Sequence, residues 1–356
     1  MKRFILAVAL GLMGCVSSTD EVDDVDTEDA VEESESAISN AATYTGDPAI
    51  GRLLLPNNKK CTGILIGRRT VLTAARCITT ISGWTLQTTN GNGTKTSSTV
   101  TTVFGATTFV VNGTNYGSAT SSPYKYPSTY QWQDTLQNNV VVATNLRDDV
   151  GLVMLSSDVI GVTPMDLALV LPTVNQAVEL IGLGATGKDA QGIYVGQGIK
   201  RRTTGTVASL NSTHRSARVN GSSNFCDEDW GGGLIGQQGS HRSVFAVASD
   251  GDAACSSYSN SSYLSYHLKW IQAQSAGNSR PWQNHANQLD TDGDGFVAPI
   301  DALLVINFLN SLPMGSNGEL ATIPDASLPT AWVDVDGDGY VAAIDALLII
   351  NHLNGG

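Results

Sequence analysis

Between residues 38 and 276 apolar side chains come in short runs, broken by Gly, Asn, Thr and Pro. The segments 63–66, 71–75, 150–155, 177–183 and 243–248 each read as a strand. Many short strands punctuated by turn residues predict an antiparallel barrel or sandwich rather than a helical domain. The intervening stretch 81–139 is rich in Thr, Ser, Asn and Gly, which predicts hairpins and long loops. Two other patterns flank this β region. Residues 16–37 alternate acids with Ser, Thr and Val without any apolar period, so they read as a disordered tether. Residues 290–310 return as 334–354 after 44 residues, each copy an aspartate-rich loop running into an apolar helix over 300–310 or 344–354.

Charge follows the same division. The chain has 356 residues and a net charge of −13, with ten acids and no base in 16–37 and ten acids and no base in 281–356. The stretch between them is mildly basic, with 18 basic and 13 acidic residues. No basic stripe with interleaved aromatics is present in the sequence, so nucleic acid is not an expected partner. At the N-terminus Lys2 and Arg3 precede a short apolar run over 4–13, the pattern of an export signal. The run ends in Leu12-Met13-Gly14-Cys15, which resembles a bacterial lipobox. That resemblance implies cleavage before Cys15 and its lipidation; the plainer alternative is an ordinary signal peptide. Setting Cys15 aside leaves four cysteines, an even number suited to an oxidising compartment.

Six motifs in order carry a family resemblance. They are Cys61-Thr62-Gly63-Ile64-Leu65-Ile66, Thr73-Ala74-Ala75-Arg76-Cys77, Asp149-Val150-Gly151-Leu152, Ile181-Gly182-Leu183-Gly184-Ala185, Cys226-Asp227-Glu228-Asp229-Trp230-Gly231-Gly232, and Ser249-Asp250-Gly251 with Cys255. Together they resemble the trypsin-like serine proteases. The resemblance implies a double six-stranded antiparallel β-barrel over 38–276, a terminal helix near 263–272, and disulfides Cys61–Cys77 and Cys226–Cys255. It places the catalytic aspartate at Asp149, the base of the specificity pocket at Asn224, and the partner of the activation N-terminus at Asp229. Ile38-Ser39-Asn40-Ala41 resembles that N-terminus, and a cut before Ile38 would also free the domain from Cys15.

The same motifs depart from the family where its chemistry resides. The base position holds Arg76, the nucleophile position Trp230 and the oxyanion glycine position Glu228. Acyl transfer needs a hydroxyl nucleophile, a base able to take its proton near neutral pH, and donors aimed at the oxyanion. Arginine stays protonated and tryptophan offers only an N–H, so no catalytic residue set is intact. Glu228 is expected to restrict the backbone and to bring negative charge to the oxyanion position. A buried aspartate without a partner is costly. An Arg76–Asp149 ion pair is therefore expected, with Trp230 filling the space of the former nucleophile. Of His214, His241, His267, His285 and His352, none lies in a matching motif.

Each repeat reads D-x-D-G-D-G-x-V-x-x-x-D. A hard cation such as Ca²⁺ takes six or more oxygens, which such a loop offers from positions 1, 3, 5, 7, 9 and 12. These are Asp290, Asp292, Asp294, the Phe296 carbonyl, Ala298 through water, and Asp301. In the second copy they are Asp334, Asp336, Asp338, the Tyr340 carbonyl, Ala342 and Asp345. One helix follows each loop and none precedes it, so residues 290–356 resemble a type I dockerin holding two calcium ions. That resemblance implies a cohesin-like partner.

The division expected is a signal over 1–15, a tether over 16–37, a trypsin-like domain over 38–276, a linker over 277–289 and a dockerin-like domain from 290. The preferred reading is a pseudoprotease held by lipid at the bacterial cell envelope, at the outer membrane or cell surface. It would bind or display through a peptide ligand at the remnant cleft or through the calcium module. Two alternatives stand beside it: an active serine endopeptidase with a non-standard site, and a component of a cohesin-based, polysaccharide-degrading assembly.

Overall fold

The computed structural model describes residues 38, 41, 43–221, 224–252, 255–276, 278–321 and 327–355. The signal, Cys15 and the tether lie outside the described residues. The first half has eleven strands. They are β1 (Ile50–Leu54), β2 (Lys60–Gly67), β3 (Thr70–Thr73), β4 (Thr79–Thr89), β5 (Asn92–Thr102), β6 (Thr108–Val111), β7 (Thr114–Gly117), β8 (Tyr124–Lys125), β9 (Gln131–Gln137), β10 (Val140–Arg147) and β11 (Gly151–Met154), with helix α1 (Ala75–Ile78) after β3. They form a seven-stranded half-barrel, β7-β6-β1-β2-β3-β11-β8, and a four-stranded sheet, β10-β9-β5-β4. The second half holds β12 (Ala177–Gly182), β13 (Gly187–Lys188), β14 (Tyr194–Val195), β15 (Arg201–Asn211), β16 (Ser216–Asn220), β17 (Gly233–Gln238), β18 (His241–Gly251) and β19 (Tyr258–Tyr263). Six of these close a barrel, β12-β15-β16-β19-β18-β17. The mainly β architecture is as expected, with one half closed and the other open.

The near-continuous apolar runs of β2, β3 and β11 follow from burial on both faces. Alternate residues point to opposite sides of a strand. Thus Leu65, Val71 and Val153 pack with Leu53 and Phe109 in the core of the half-barrel. Ile64, Leu72 and Leu152 face the other way, joining Ile181, Ile235 and Val247 of the closed barrel. The register Ile64↔Leu72 and Leu72↔Leu152 keeps each set on its own face. This shared layer joins the two halves. Around it, the Thr- and Ser-rich segment folds as long hairpins. Asn90-Gly91 and Asn112-Gly113 both take positive φ, the two-residue turn that matches strand twist.

The terminal helix starts later than expected. Tyr263 still belongs to β19, a 3₁₀ turn covers Ser265–His267, and α2 runs Leu268–Gln274. The segment read as a linker is packed: Trp282 is wholly buried, and Gln283 and Asn284 nearly so. Helices α3 (Pro299–Ser311) and α4 (Ala343–Leu353) follow the two loops. Val305, Trp332, Val335 and Ile349 extend the same core that holds Ile271 and Ile235.

Candidate functional site

Arg76 on α1, Asp149 ahead of β11, Trp230 ahead of β17 and Ser249 on β18 converge at the cleft. Asp149 is wholly buried. Its Oδ1 accepts the backbone N–H of Arg76 at 2.7 Å, and its Oδ2 accepts the Ser249 hydroxyl at 2.7 Å. Burial lifts the carboxyl to about 6, while the Arg76 charge and these bonds pull the other way. The expected side-chain ion pair does not form; this corrects the sequence reading. Both carboxylate oxygens are already taken, and the guanidinium turns instead between two indoles. Its Cζ lies 4.5 Å from the Trp230 ring centroid and 4.9 Å from that of Trp132. Nη1 donates to the Ser249 carbonyl at 2.6 Å. A planar, weakly hydrated cation suits such stacking. Trp132, on β9, belongs to the hairpin region whose details the sequence does not resolve.

Glu228 supplies a second correction. It takes φ +68°, the left-handed conformation that favours glycine, so the backbone there is not diverted. Its carboxylate is drawn off to Arg52, 2.8 Å away, and to Lys60 at 3.7 Å. Among the described residues the amides of Glu228 and Trp230 meet no acceptor. Two backbone N–H groups thus lack an acceptor here, while the base and nucleophile positions hold Arg76 and Trp230. Among the described residues no histidine bonds to Asp149. His241 and His285 both hold Asp166, at 2.7 and 2.5 Å, and His267 faces Asp148 at 3.2 Å.

The two acidic loops are built alike. Asp290, Asp292 and Asp294 bring carboxylate oxygens within 4.8 Å of one another, as do Asp334, Asp336 and Asp338. Gly293 and Gly295, like Gly337 and Gly339, have positive φ and turn the loop sharply. Asp301 and Asp345 hold the loop closed, each accepting the amide three residues earlier at 2.8 Å. Among the described residues the buried Oδ1 of Asp334 has no hydrogen-bond partner. Burial first, then the neighbouring carboxylates, push Asp334 up to about 7. An orphaned buried oxygen among crowded carboxylates fits a divalent cation of the calcium type. The Phe296 and Tyr340 carbonyls and Ala298 and Ala342 stand at the remaining ligand positions of these loops.

The model of the trypsin family, described as "Trypsin", matches residues 38–271, and that of the dockerin type I domain matches 288–354. The chain belongs to the trypsin family. Among solved structures it is similar to neuropsin, a serine protease expressed in the limbic system of mouse brain. The identity is 17% and the TM-score 0.44, over 64% of this chain and 95% of that one. No curated protein matches the chain.

Within the trypsin-like domain both disulfides form as the resemblance implies, Cys61–Cys77 and Cys226–Cys255. Asn224 is buried; its amide donates to the Gly221 carbonyl and its oxygen accepts from Ser259 at 3.4 Å. Asp229 is wholly buried, accepting the amides of Gly184 at 2.6 Å and Cys226 at 2.9 Å. Burial raises its carboxyl to about 7, against those amides and the Arg201 charge. Ile38 is itself buried, among Val178, Leu180 and Phe225.

Proposed function

We propose that the trypsin-like domain is catalytically inert and that the chain is a binding or display protein of the cell envelope. The observation that carries this reading is the destination of Arg76. Where a base and a nucleophile would meet, a guanidinium is clamped between Trp132 and Trp230 and tied to the Ser249 carbonyl. None of these groups can attack a peptide carbonyl or take its proton at neutral pH. In this reading Cys15 carries lipid, the C-terminal module binds two calcium ions, and a cut before Ile38 would release the domain from the membrane.

The test is labelling by a serine-directed phosphonate together with peptide hydrolysis. The natural chain is compared with the Arg76→His, Trp230→Ser pair and with the same pair carrying Glu228→Gly. No labelling of the natural chain is expected; labelling there overturns the reading in favour of an endopeptidase. Mass spectrometry of the membrane-bound chain tests the anchor, and an unmodified Cys15 sinks that part.

A second reading, membership of a cohesin-based assembly, is favoured by one surface. Ile300, Leu303 and Ile306 on α3 are exposed, and so are Ile344, Leu347 and Ile350, their counterparts 44 residues on in α4. Two matched apolar stripes suit a protein partner. Pull-down by the full chain that needs calcium supports it.

A further inference from the structure

The C-terminal module does not hang from the trypsin-like domain; both of its acidic loops are pressed against it. The first loop meets the turn between β17 and β18. There the Ser240 hydroxyl donates to the Gly293 carbonyl at 2.5 Å, and a Cβ at Gly293 would lie 2.5 Å from His241 Cβ. The His241 ring packs edge-on against Trp332, with centroids 4.7 Å apart. Trp332 is buried just ahead of the second loop, and its amide donates to Thr291 in the first at 2.9 Å. The second loop meets α2 and the chain that follows it. A Cβ at Gly339 would lie 2.5 Å from the side-chain nitrogen of Gln272. The Asp334 amide donates to the Trp282 carbonyl at 3.0 Å, and Gln283 donates to the Val335 carbonyl at 2.8 Å. Behind these contacts the apolar core continues without a break from Ile235 and Val247 to Trp282, Trp332 and Val335.

We propose that calcium held in the two loops stabilises the trypsin-like domain through this face, making the module an intramolecular clamp on β17, β18 and α2. The physical route is short. Three carboxylates within 4.8 Å of one another repel unless a cation lies between them. Without it each loop relaxes, and the glycine backbones that seat His241 and Gln272 shift. Trp282 and Trp332 then lose the walls that bury them, which opens the shared core on the side of the closed barrel. A ligand that binds only the closed loops stabilises every element that must be folded for the loops to close. The coupling is reciprocal, so residues of the trypsin-like domain that never touch the ion set its affinity.

The test is amide hydrogen exchange on the full chain, with calcium and with a chelator, beside calorimetric calcium titration. At calcium about 100 times its dissociation constant, protection in 233–251 and 265–274 is expected to rise about 100-fold for each coupled ion. Residues 79–102 of the four-stranded sheet serve as internal reference and should change far less. If 299–311 and 343–353 lose protection on chelation while 233–251 and 265–274 do not, the clamp is overturned. A titration without calcium binding overturns it as well. The second variant is His241→Ala, which removes a ring at the face and no loop carboxylate. Calcium affinity is expected to fall about fivefold, at the lower end of ordinary couplings; an unchanged affinity with intact protection overturns the proposal.

Discussion

Asp149 and Asp334 are both buried aspartates with raised carboxyls, and they are treated in opposite ways. At the cleft both oxygens of Asp149 accept hydrogen bonds from within the domain, the guanidinium of Arg76 is stacked and bonded, and Glu228 is paired with Arg52. In the second loop Asp334 keeps one oxygen without a partner and faces Asp336 and Asp338. Both oxygens of Asp149 thus find donors within the domain, whereas Asp334 leaves an oxygen that a cation could meet. Unmet polar groups thus mark the second loop as the place where a cation would be held.

The sharpest way to break this contrast is to remove calcium. Helices α3 and α4 have 13 and 11 residues, lengths that are marginal in water without packing. Chelation should abolish most of their circular dichroism, and Asp334→Ala, which touches the second loop alone, should remove the share due to α4 at calcium levels that saturate the natural chain. A helical signal indifferent to both would place the loops on the same footing as the cleft.

Next in size is the cost of keeping Asp149. Its folded value of about 6 exceeds the ordinary carboxylate value, so the folded chain takes up the proton more readily than the unfolded one. The stability this group supports is thus present in acid and is lost as pH rises from about 4 through about 6. Asp149→Asn can still accept from the Arg76 amide and bond to Ser249. Denaturation should show it more stable than the natural chain by about 1–3 kcal/mol at pH 7, and nearly equal at pH 4. Equal stability at both values would mean that the aspartate is not held against its ionisation.

How much of this was legible in the sequence varies by region. The paired loops were, because metal ligation fixes residue types at fixed spacing, and Asp290 to Asp301 show all of them. The strands 63–66 and 177–183 were, because burial forces apolar runs. The path of the Arg76 side chain was not. It depends on Trp132, which enters from a hairpin with no apolar period. Nor was the docking of the module, because Trp282 follows Gly-Asn-Ser-Arg-Pro, a composition that reads as linker. Its burial is decided by Trp332 and Val335, some fifty residues away in sequence.

A smaller effect tests whether the stacked arginine holds the cleft shut. Arg76→Met keeps the backbone bond to Asp149 and removes both ring contacts and the bond to Ser249. A loss of about 1–2 kcal/mol is expected, with changed tryptophan fluorescence from Trp132 and Trp230. Arg76→Lys should recover less than half, since an ammonium cannot stack as a plane.

The smallest effect separates two terms at Glu228 that nearly cancel. A left-handed φ costs a residue with Cβ about 1–2 kcal/mol, which Glu228→Gly relieves. Glycine returns about 0.5–1 kcal/mol of that through the freer unfolded chain. It also gives up the pair with Arg52, whose side chains are 24% and 15% exposed, worth at most about 1 kcal/mol. The net change should stay below about 1 kcal/mol. Glu228→Ala keeps the strain and loses the pair, so it should be destabilising and less stable than the glycine variant. If alanine and glycine are equal, the left-handed backbone is not retained in solution. The donors at Glu228 and Trp230 would then be gone along with the base and the nucleophile.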